Sequence, residues 1–282
     1  MRKSQLPHLV RLLDDQTPAV REEVLKAIES FGPTLDRDLE SLNIRLSRDE
    51  AAPIQHILDK GRRKEFRSAW RGWFSLQGDK HRLETALQTI VSLQDGATAA
   101  QELPDLLDNL AERYRAQTTV PQALELSQFL FRKEGLAGVE QSNYLDPLNS
   151  NLVYVIREKK GLPISLACVF LLVGHRLGLS VEGCNFPGHF LVITPLESKK
   201  VLVDCYNSGR MIDESDLALI NARVSMKDLL QLECRSHDIV ARVLRNLVNA
   251  YNQTGNPANA KLMTEALSMM ASEASPSTTK NL

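Results

Sequence analysis

The sequence has few of the features that mark a membrane protein, a disulfide-linked protein or a zinc protein. Its 282 residues include four cysteines, none in a Cys-x-x-Cys pair, so we expect reduced thiols rather than disulfides or a cysteine-paired zinc site. The longest apolar stretch, Leu162 to Leu172, is too short to span a bilayer. A net charge of −1 offers no overall attraction to nucleic acid or anionic lipid. We therefore expect a globular protein with a sizeable core and no membrane contact.

No secretory signal is visible at the amino terminus. Met1, Arg2 and Lys3 are followed by Ser-Gln-Leu-Pro-His rather than by an apolar segment with a small-residue cleavage site. Because such a segment is the usual signal for secretion, we expect a cytoplasmic protein.

Helical periodicity dominates residues 1–120. Two amphipathic patterns near the start predict a helix pair. The order Pro7, a Leu/Val ridge, Asp14-Asp15 and then Val20-Arg21 resembles a HEAT repeat, although an ordinary amphipathic pair fits equally well, because one repeat cannot bury its own apolar face. Further helices are predicted at 49–76, 79–93 and 103–117.

The segment GRRKEFRSAWRGWF, residues 61–74, mixes basic and aromatic side chains. Such a mixture could stack on bases and contact phosphates. However, the aromatic residues recur at i, i+4, i+7 and i+8, the spacing of one buried helical stripe: Phe66, Trp70, Trp73 and Phe74. We expect a core helix with its arginines extending outward, and burial of the tryptophans would exclude base stacking.

The middle of the chain predicts a mixture of helices and strands. A helix is expected at 121–134, a second at about 149–159, and a strongly apolar one from Pro163 to Leu177 that begins with its proline. Three short β-like runs follow, at 180–185, 189–195 and 200–205. The predicted fold class is therefore α+β, a mostly helical chain with one buried helix and a small antiparallel sheet.

The C-terminal part predicts another helix pair. Residues 237–270 carry two apolar helical patterns around the turn Gly255-Asn256-Pro257, an arrangement that resembles a tetratricopeptide unit. The final segment is polar and is predicted to be disordered. The predicted divisions of the chain are 1–120, 121–232, 233–272 and 273–282.

The residues that could carry chemistry lie in the mixed region. A thiol protease or transglutaminase needs a nucleophile at a helix start, a histidine that accepts its proton and a carboxylate that orients the histidine. Here a helix is predicted to begin at Pro163, His189 begins the second β run and Asp204 ends the third. This chain order resembles that of the transglutaminase-like, or papain-like, core.

Three longer motifs within residues 142–217 extend the resemblance. They read NYLDPLNSNLVYVIREKKGLPISL, LGLSVEGCNFPGHFLV and VDCYNSGRMIDESDL. Together they resemble the bacterial SirB family of transglutaminase-like proteins with a tetratricopeptide tail. The resemblance implies a transglutaminase-like domain at 121–232 and places Pro163 where active transglutaminases have their nucleophilic cysteine.

Proline at this position has neither a nucleophilic side chain nor an amide hydrogen. We therefore predict that His189 and Asp204 form a vestigial catalytic pair. Two other residues could replace the missing nucleophile: Ser165 in the first turn of the helix, and Cys184 on the first β run.

A mixed-ligand metal site could in principle combine two cysteines with the histidine and aspartate, namely Cys184, Cys205, His189 and Asp204. No spacing typical of a zinc site supports it, and strand alternation directs Cys205 away from the side of Asp204. Cys168, inside an apolar helix, is expected to be buried and inert. We therefore expect neither a metal nor a cofactor.

The leading interpretation is a catalytically degenerate transglutaminase-like protein that acts as a protein or peptide binding or scaffolding module, compatible with a regulatory role. Its ligand-binding cleft is expected to include Asn149, Pro163 and Asn207. The alternative is an active hydrolase or acyltransferase in which Ser165 or Cys184 uses the histidine–aspartate pair. We expect a protein or peptide partner and no nucleic acid, and the sequence leaves the oligomeric state open.

Overall fold

The computed structural model describes residues 3–44, 46–186, 188–197, 199–212 and 234–274. Most of these residues are helical, and a small antiparallel sheet lies among the helices. The predicted α+β class is therefore confirmed.

The N-terminal part forms its own small core. Its α-helices are α1 (Leu6–Arg11), α2 (Pro18–Glu29), α3 (Leu35–Ser41) and α4 (Arg48–Trp73). The start of α4 is fixed by Ser47, whose side chain accepts a hydrogen bond from the Glu50 amide while the Glu50 carboxylate accepts one from the Ser47 amide. The predicted helix pair at the start of the chain is present as α1 and α2, and its assignment as a HEAT repeat stays a prediction.

The aromatic stripe on α4 is buried in the main core. Phe66, Trp70 and Trp73 are almost inaccessible to solvent, and their rings stack in sequence with centroids 5.3 Å apart. The Trp70 indole donates to the Ala266 carbonyl at 3.3 Å and the Trp73 indole to the Arg82 carbonyl at 2.7 Å. These rings cannot stack on bases, so the core-helix interpretation is confirmed for them.

Two details of this segment differ from the prediction. Phe74 is only partly buried, because it lies just beyond the end of α4. Arg62 does not extend outward: its guanidinium contacts both Asp36 carboxylate oxygens, at 2.7 and 2.9 Å, and donates to the Gln94 carbonyl at 2.9 Å. Arg62 thereby joins the N-terminal core to the main core.

Helix α5 (Asp79–Asp95) packs beside α4, and helix α6 (Ala97–Arg115) packs beside α5. The second of them begins at Ala97 rather than near residue 103, because Gly96 alone separates the two helices and the residues after it are good helix formers. Gly96 has a φ of +91°, a conformation that glycine adopts without a steric penalty.

The mixed region begins with α7 (Ala123–Gln128), which continues into a π-helical turn at Phe129–Lys133. The predicted helix at 121–134 is thus regular only in its first part. Helix α8 (Leu152–Glu158) begins later than the predicted residue 149, because the Asn151 side chain caps it by accepting from the Tyr154 amide at 3.1 Å. On either side of α8 lie β1 (Ala137–Gly138) and β2 (Lys160–Gly161), which pair in parallel.

Helix α9 (Pro163–Arg176) is the buried helix of this region. Every residue from Pro163 to Gly174 is buried, as its apolar sequence predicts. A proline fits the first helical position because the amide there needs no intrahelical partner. Throughout the described ranges, no helix combines the length and apolar character that crossing a bilayer requires.

Four antiparallel strands form the sheet in the order β3-β4-β5-β6. They are β3 (Glu182–Cys184), β4 (Leu191–Leu196), β5 (Lys199–Asp204) and β6 (Arg210–Ile212). Val192 pairs with Val203, and both side chains enter the main core, whereas Ile193 and Leu202 belong to a smaller core on the other face. The three predicted strands are present, and β6 is an additional strand that the sequence pattern did not indicate.

The C-terminal helices α10 (Ser236–Gln253) and α11 (Pro257–Ala274) pack against each other across the predicted turn. The helix pair is confirmed, and its identity as a tetratricopeptide unit stays a prediction. The predicted boundary at 232/233 lies outside the described residues. The tail predicted to be disordered begins at residue 273, but α11 extends to Ala274, and residues 275–282 lie outside the described residues.

The two glycines Gly96 and Gly61 offer a test of this packing. A methyl group on Gly96 would lie 2.5 Å from Asp36 Oδ2 and would be strained by the positive φ, whereas one on Gly61, inside α4, would meet no atom within 4 Å. We expect Gly96→Ala to lower the free energy of unfolding by more than about 1 kcal/mol. Gly61→Ala should raise it by about 0.5–1 kcal/mol. Urea denaturation measures both, and a Gly96→Ala variant as stable as the wild type would contradict the described junction.

Candidate functional site

His189 and Asp204 meet where two neighbouring strands begin and end. Asp204 is the last residue of β5, and His189 precedes β4. The antiparallel pairing of Val192 with Val203 brings the start of β4 beside the end of β5. His189 Nε2 and Asp204 Oδ1 are 2.8 Å apart. The structure therefore brings together the two residues that the sequence suggested as a pair.

The Asp204 carboxylate is buried and held by the turn that follows it. The Tyr206 and Asn207 amides each donate to Oδ1 at 3.1 Å, and the Asn207 side chain donates to Oδ2 at 2.7 Å. Burial on its own would raise the pKa of Asp204, but hydrogen bonds from His189 and Asn207 outweigh it and lower the pKa. Asn207, predicted as a cleft residue, thus uses its side chain to hold the carboxylate in its ionised form.

The hydrogen bond to Asp204 fixes the orientation of the His189 ring. We assign the proton of the neutral ring to Nε2, which leaves a lone pair on Nδ1. Within the described part of the chain, no group hydrogen-bonds Nδ1. The side chain is 17% exposed, so part of the ring is open to solvent.

Tyr206 forms one wall beside the histidine. Its ring meets the His189 ring edge-on, with centroids 6.1 Å apart and an interplanar angle of 87°. Its hydroxyl donates to the Val139 carbonyl at 2.6 Å. The ring lies directly on Gly138, where a Cβ atom would come within 2.4 Å of it. Sequence reasoning missed Tyr206, although it lies in one of the quoted motifs, because its role depends on the distant strand β1.

Pro163 is buried at the first position of α9. The preceding residue, Leu162, is the helix N-cap in extended conformation and supplies no side-chain cap. The start of α9, where the sequence resemblance places the nucleophile of an active transglutaminase, therefore holds a buried proline.

Ser165 is buried, and its hydroxyl is used within the protein. It donates to the Asn149 carbonyl at 2.6 Å. Asn149 is buried as well, and its side chain donates to the Asn143 carbonyl at 2.6 Å. Both residues therefore bind the loop before α8 to the start of α9, a structural role that the sequence did not reveal.

Cys184 lies in the small core on the outer face of the sheet. This core consists of Cys184, Phe186, Leu191, Ile193, Leu202 and Ile212. Burial raises the pKa of Cys184 to about 11, although nearby Arg242 acts in the opposite direction. Very little thiolate is therefore present at neutral pH.

The remaining cysteines are no better placed to act as nucleophiles. Cys168 and Cys205 are fully buried in the main core, which raises the pKa of both thiols well above the ordinary value. Burial also raises the pKa of Cys234, to about 12. Among the described residues, no group of three or more histidine, cysteine or acidic side chains is arranged to hold a metal ion.

Arg242, on α10, also borders this site and was not predicted. Its Nη1 donates to the Phe186 carbonyl at 2.9 Å and to the Asn185 side chain. The His189 amide donates to the same Phe186 carbonyl at 3.1 Å. Arg242 thus joins the C-terminal helix pair to the segment that carries the histidine.

The lowered pKa of Asp204 predicts a specific dependence of stability on pH. A carboxylate whose pKa is lower in the folded than in the unfolded chain stabilises the fold above its unfolded pKa of about 4, and this contribution is lost as the pH falls through the folded value. We expect Asp204→Asn to lower the free energy of unfolding at neutral pH. Below about pH 4 the difference in this free energy between wild type and variant should become progressively smaller. Urea denaturation of both proteins across this range measures the difference, and a destabilisation that does not change with pH would contradict an ionised Asp204 carboxylate.

Comparison with known proteins places this site in a family. A family model described as "Transglutaminase-like superfamily" matches residues 97–245. A UPF0162 protein of Xylella fastidiosa strain Temecula1 is 35% identical over 137 residues, 46% of this chain and 48% of that protein. A UPF0162 protein of Pseudomonas aeruginosa is 28% identical over 167 residues, 57% of this chain and 60% of that protein.

A shorter similarity extends to mammals. F-box only protein 21 of Mus musculus is 32% identical over 93 residues, 33% of this chain and 13% of that protein. No solved structure matches the chain. The chain aligns with only about half the length of the Xylella relative, so the similarity is concentrated in part of each protein. Since the family model covers more than half of the residues, including the helix start, the histidine and the aspartate, the chain belongs to the transglutaminase-like superfamily.

Proposed function

We propose that this protein is a catalytically degenerate transglutaminase-like protein that binds a protein or peptide in the cleft beside His189. The observation that carries the proposal is Pro163 at the first position of α9, where the transglutaminase-like frame has its nucleophilic cysteine. A proline side chain cannot form an acyl intermediate. The histidine therefore has no nucleophile to activate at that position.

The two replacement nucleophiles also support the proposal. The Ser165 hydroxyl donates its proton to the Asn149 carbonyl, whereas a serine nucleophile would donate it to His189. Cys184 is held as a thiol by burial in the small sheet core. Neither residue has the activated environment that covalent catalysis requires.

The retained pair is suited to binding. Asp204 holds the His189 ring so that Nδ1 can accept a hydrogen bond from a ligand amide. Because the carboxylate is ionised and firmly held, the His189 side chain loses little conformational entropy when a ligand binds. A preorganised acceptor beside an aromatic wall suits recognition of a peptide backbone.

We further propose that the chain is a SirB-type protein with a tetratricopeptide-like end, located in the cytoplasm. The packed pair α10–α11 supports the repeat assignment, and four unpaired cysteines fit a reducing compartment. The similarity to a segment that makes up 13% of F-box only protein 21 supports a module that also occurs within a larger protein. A regulatory role fits such a module.

The alternative, an active hydrolase or acyltransferase using Ser165 or Cys184, is favoured by the intact 2.8 Å contact between His189 and Asp204. Intact-mass spectrometry after exposure of the native protein to iodoacetamide, a fluorophosphonate and a thioester acyl donor separates the two proposals. We expect no adduct on either residue because neither is activated, whereas in concentrated urea all four cysteines should be alkylated.

His189→Ala is the matched control for this experiment. Any slow background modification of the native protein should be the same in this variant and in the wild type. An adduct on Ser165 or Cys184 that His189→Ala abolishes would establish the enzyme and refute the degenerate function.

A further inference from the structure

Arg242 lies beside the segment that carries His189. It projects from α10 toward the segment before β4, and it shares the Phe186 carbonyl with the His189 amide. Its guanidinium also lies over the Phe190 ring, with its carbon 5.6 Å from the ring centroid. The side chain is therefore held within the immediate surroundings of the histidine.

Among the described residues, no carboxylate pairs with the positive charge of Arg242. Both of its hydrogen bonds to described residues go to neutral oxygens through Nη1. Arg62 and Arg176, also partly buried, are paired with Asp36 and Glu84, whereas Arg63 bonds to the Asn259 side chain and Arg82 lies over the Trp73 ring. Since a guanidinium has five N–H donors, the Nε and Nη2 groups are left to bind another acceptor.

The neighbouring groups favour an anion over a cation. Burial raises the pKa of the Tyr144 phenol, nearby Tyr206 adds to this effect, and Arg242 counteracts it, so Tyr206 and Arg242 each lie within electrostatic range of Tyr144. Within the described residues the Tyr144 hydroxyl has no hydrogen-bond partner and can donate to a ligand. Asp204, the acid nearest to the histidine, has both oxygens engaged by its own turn and by His189.

We infer that Arg242 binds a carboxylate of the peptide ligand beside the His189 ring. The inference rests on the proposed peptide-binding function and specifies the ligand it requires. A guanidinium and a carboxylate form two parallel hydrogen bonds with good geometry. A half-buried arginine that has no counter-ion among the described residues gains most from such a ligand, because partial removal from water strengthens the attraction. The carboxylate comes from a C-terminus or from an Asp or Glu side chain.

A synthetic peptide array tests the ligand class directly. Each peptide is displayed in matched forms: with a free C-terminal carboxylate, with a C-terminal amide, and with its Asp and Glu residues replaced by Asn and Gln. We expect wild-type protein to bind a subset about 10- to 100-fold more weakly when one carboxylate becomes an amide, since charge-assisted hydrogen bonds are lost. The form that loses binding identifies the source of the carboxylate.

Two variants assign the effect to Arg242. Arg242→Gln should reduce binding of the carboxylate form to the level of the amide form. Arg245→Gln removes the same charge from an exposed position three residues further along α10, and should change binding by no more than about twofold, because exposed charges are screened. Circular dichroism verifies folding. If Arg242→Gln does not fold, the wild-type comparison of carboxylate and amide forms decides alone.

The outcomes separate this inference from the proposed function. Equal binding of carboxylate and amide forms by the wild type would overturn the inference and leave peptide binding intact. Preference for carboxylates that persists in folded Arg242→Gln would also overturn it. Failure of the folded wild type to bind any peptide of the array would overturn both.

Discussion

The hydrogen bond between His189 and the buried Asp204 carboxylate is the interaction on which the site depends. It requires the register of β4 and β5, because only that pairing brings the start of one strand beside the end of the other. It also requires the turn after β5, whose amides and Asn207 side chain keep the carboxylate ionised despite its burial. Tyr206 then closes one side of the histidine by resting on Gly138, a contact that a larger residue would prevent.

Under the proposed function, this arrangement is a catalytic frame without a nucleophile. Pro163 begins α9. The two residues considered as replacement nucleophiles make structural contacts instead: the Ser165 hydroxyl donates to the Asn149 carbonyl, and Cys184 packs in the small sheet core. Arg242 connects the frame to the C-terminal helix pair, so a ligand in the cleft would contact both parts of the chain. The proposed binding function is consistent with polar groups that are held in place by hydrogen bonds.

Periodicity and local signals were sufficient to predict much of the fold. The buried helix α9, the aromatic stripe of α4 and the turn between α10 and α11 all follow from patterns within one segment. Chain order also suggested the pairing of His189 with Asp204. Contacts between distant segments could not be predicted, because no local pattern encodes them. Tyr206 and Val139 are 67 residues apart, and Arg242 and Phe186 are 56 apart. The contacts of Arg62 with Asp36 and Gln94 also join distant segments, so they could not be predicted either.

The most direct measurement is the rate at which iodoacetamide alkylates Pro163→Cys, compared with the double variant Pro163→Cys/His189→Ala, in mildly acidic buffer. If residue 163 occupies the nucleophile position facing an oriented His189, the new thiol should become a thiolate at low pH and react about tenfold or more faster than in the double variant. The wild-type cysteines supply the slow background, because burial raises the pKa of each thiol. Equal rates in two correctly folded variants would show that His189 does not promote formation of a thiolate at residue 163. That result would contradict a vestigial catalytic frame.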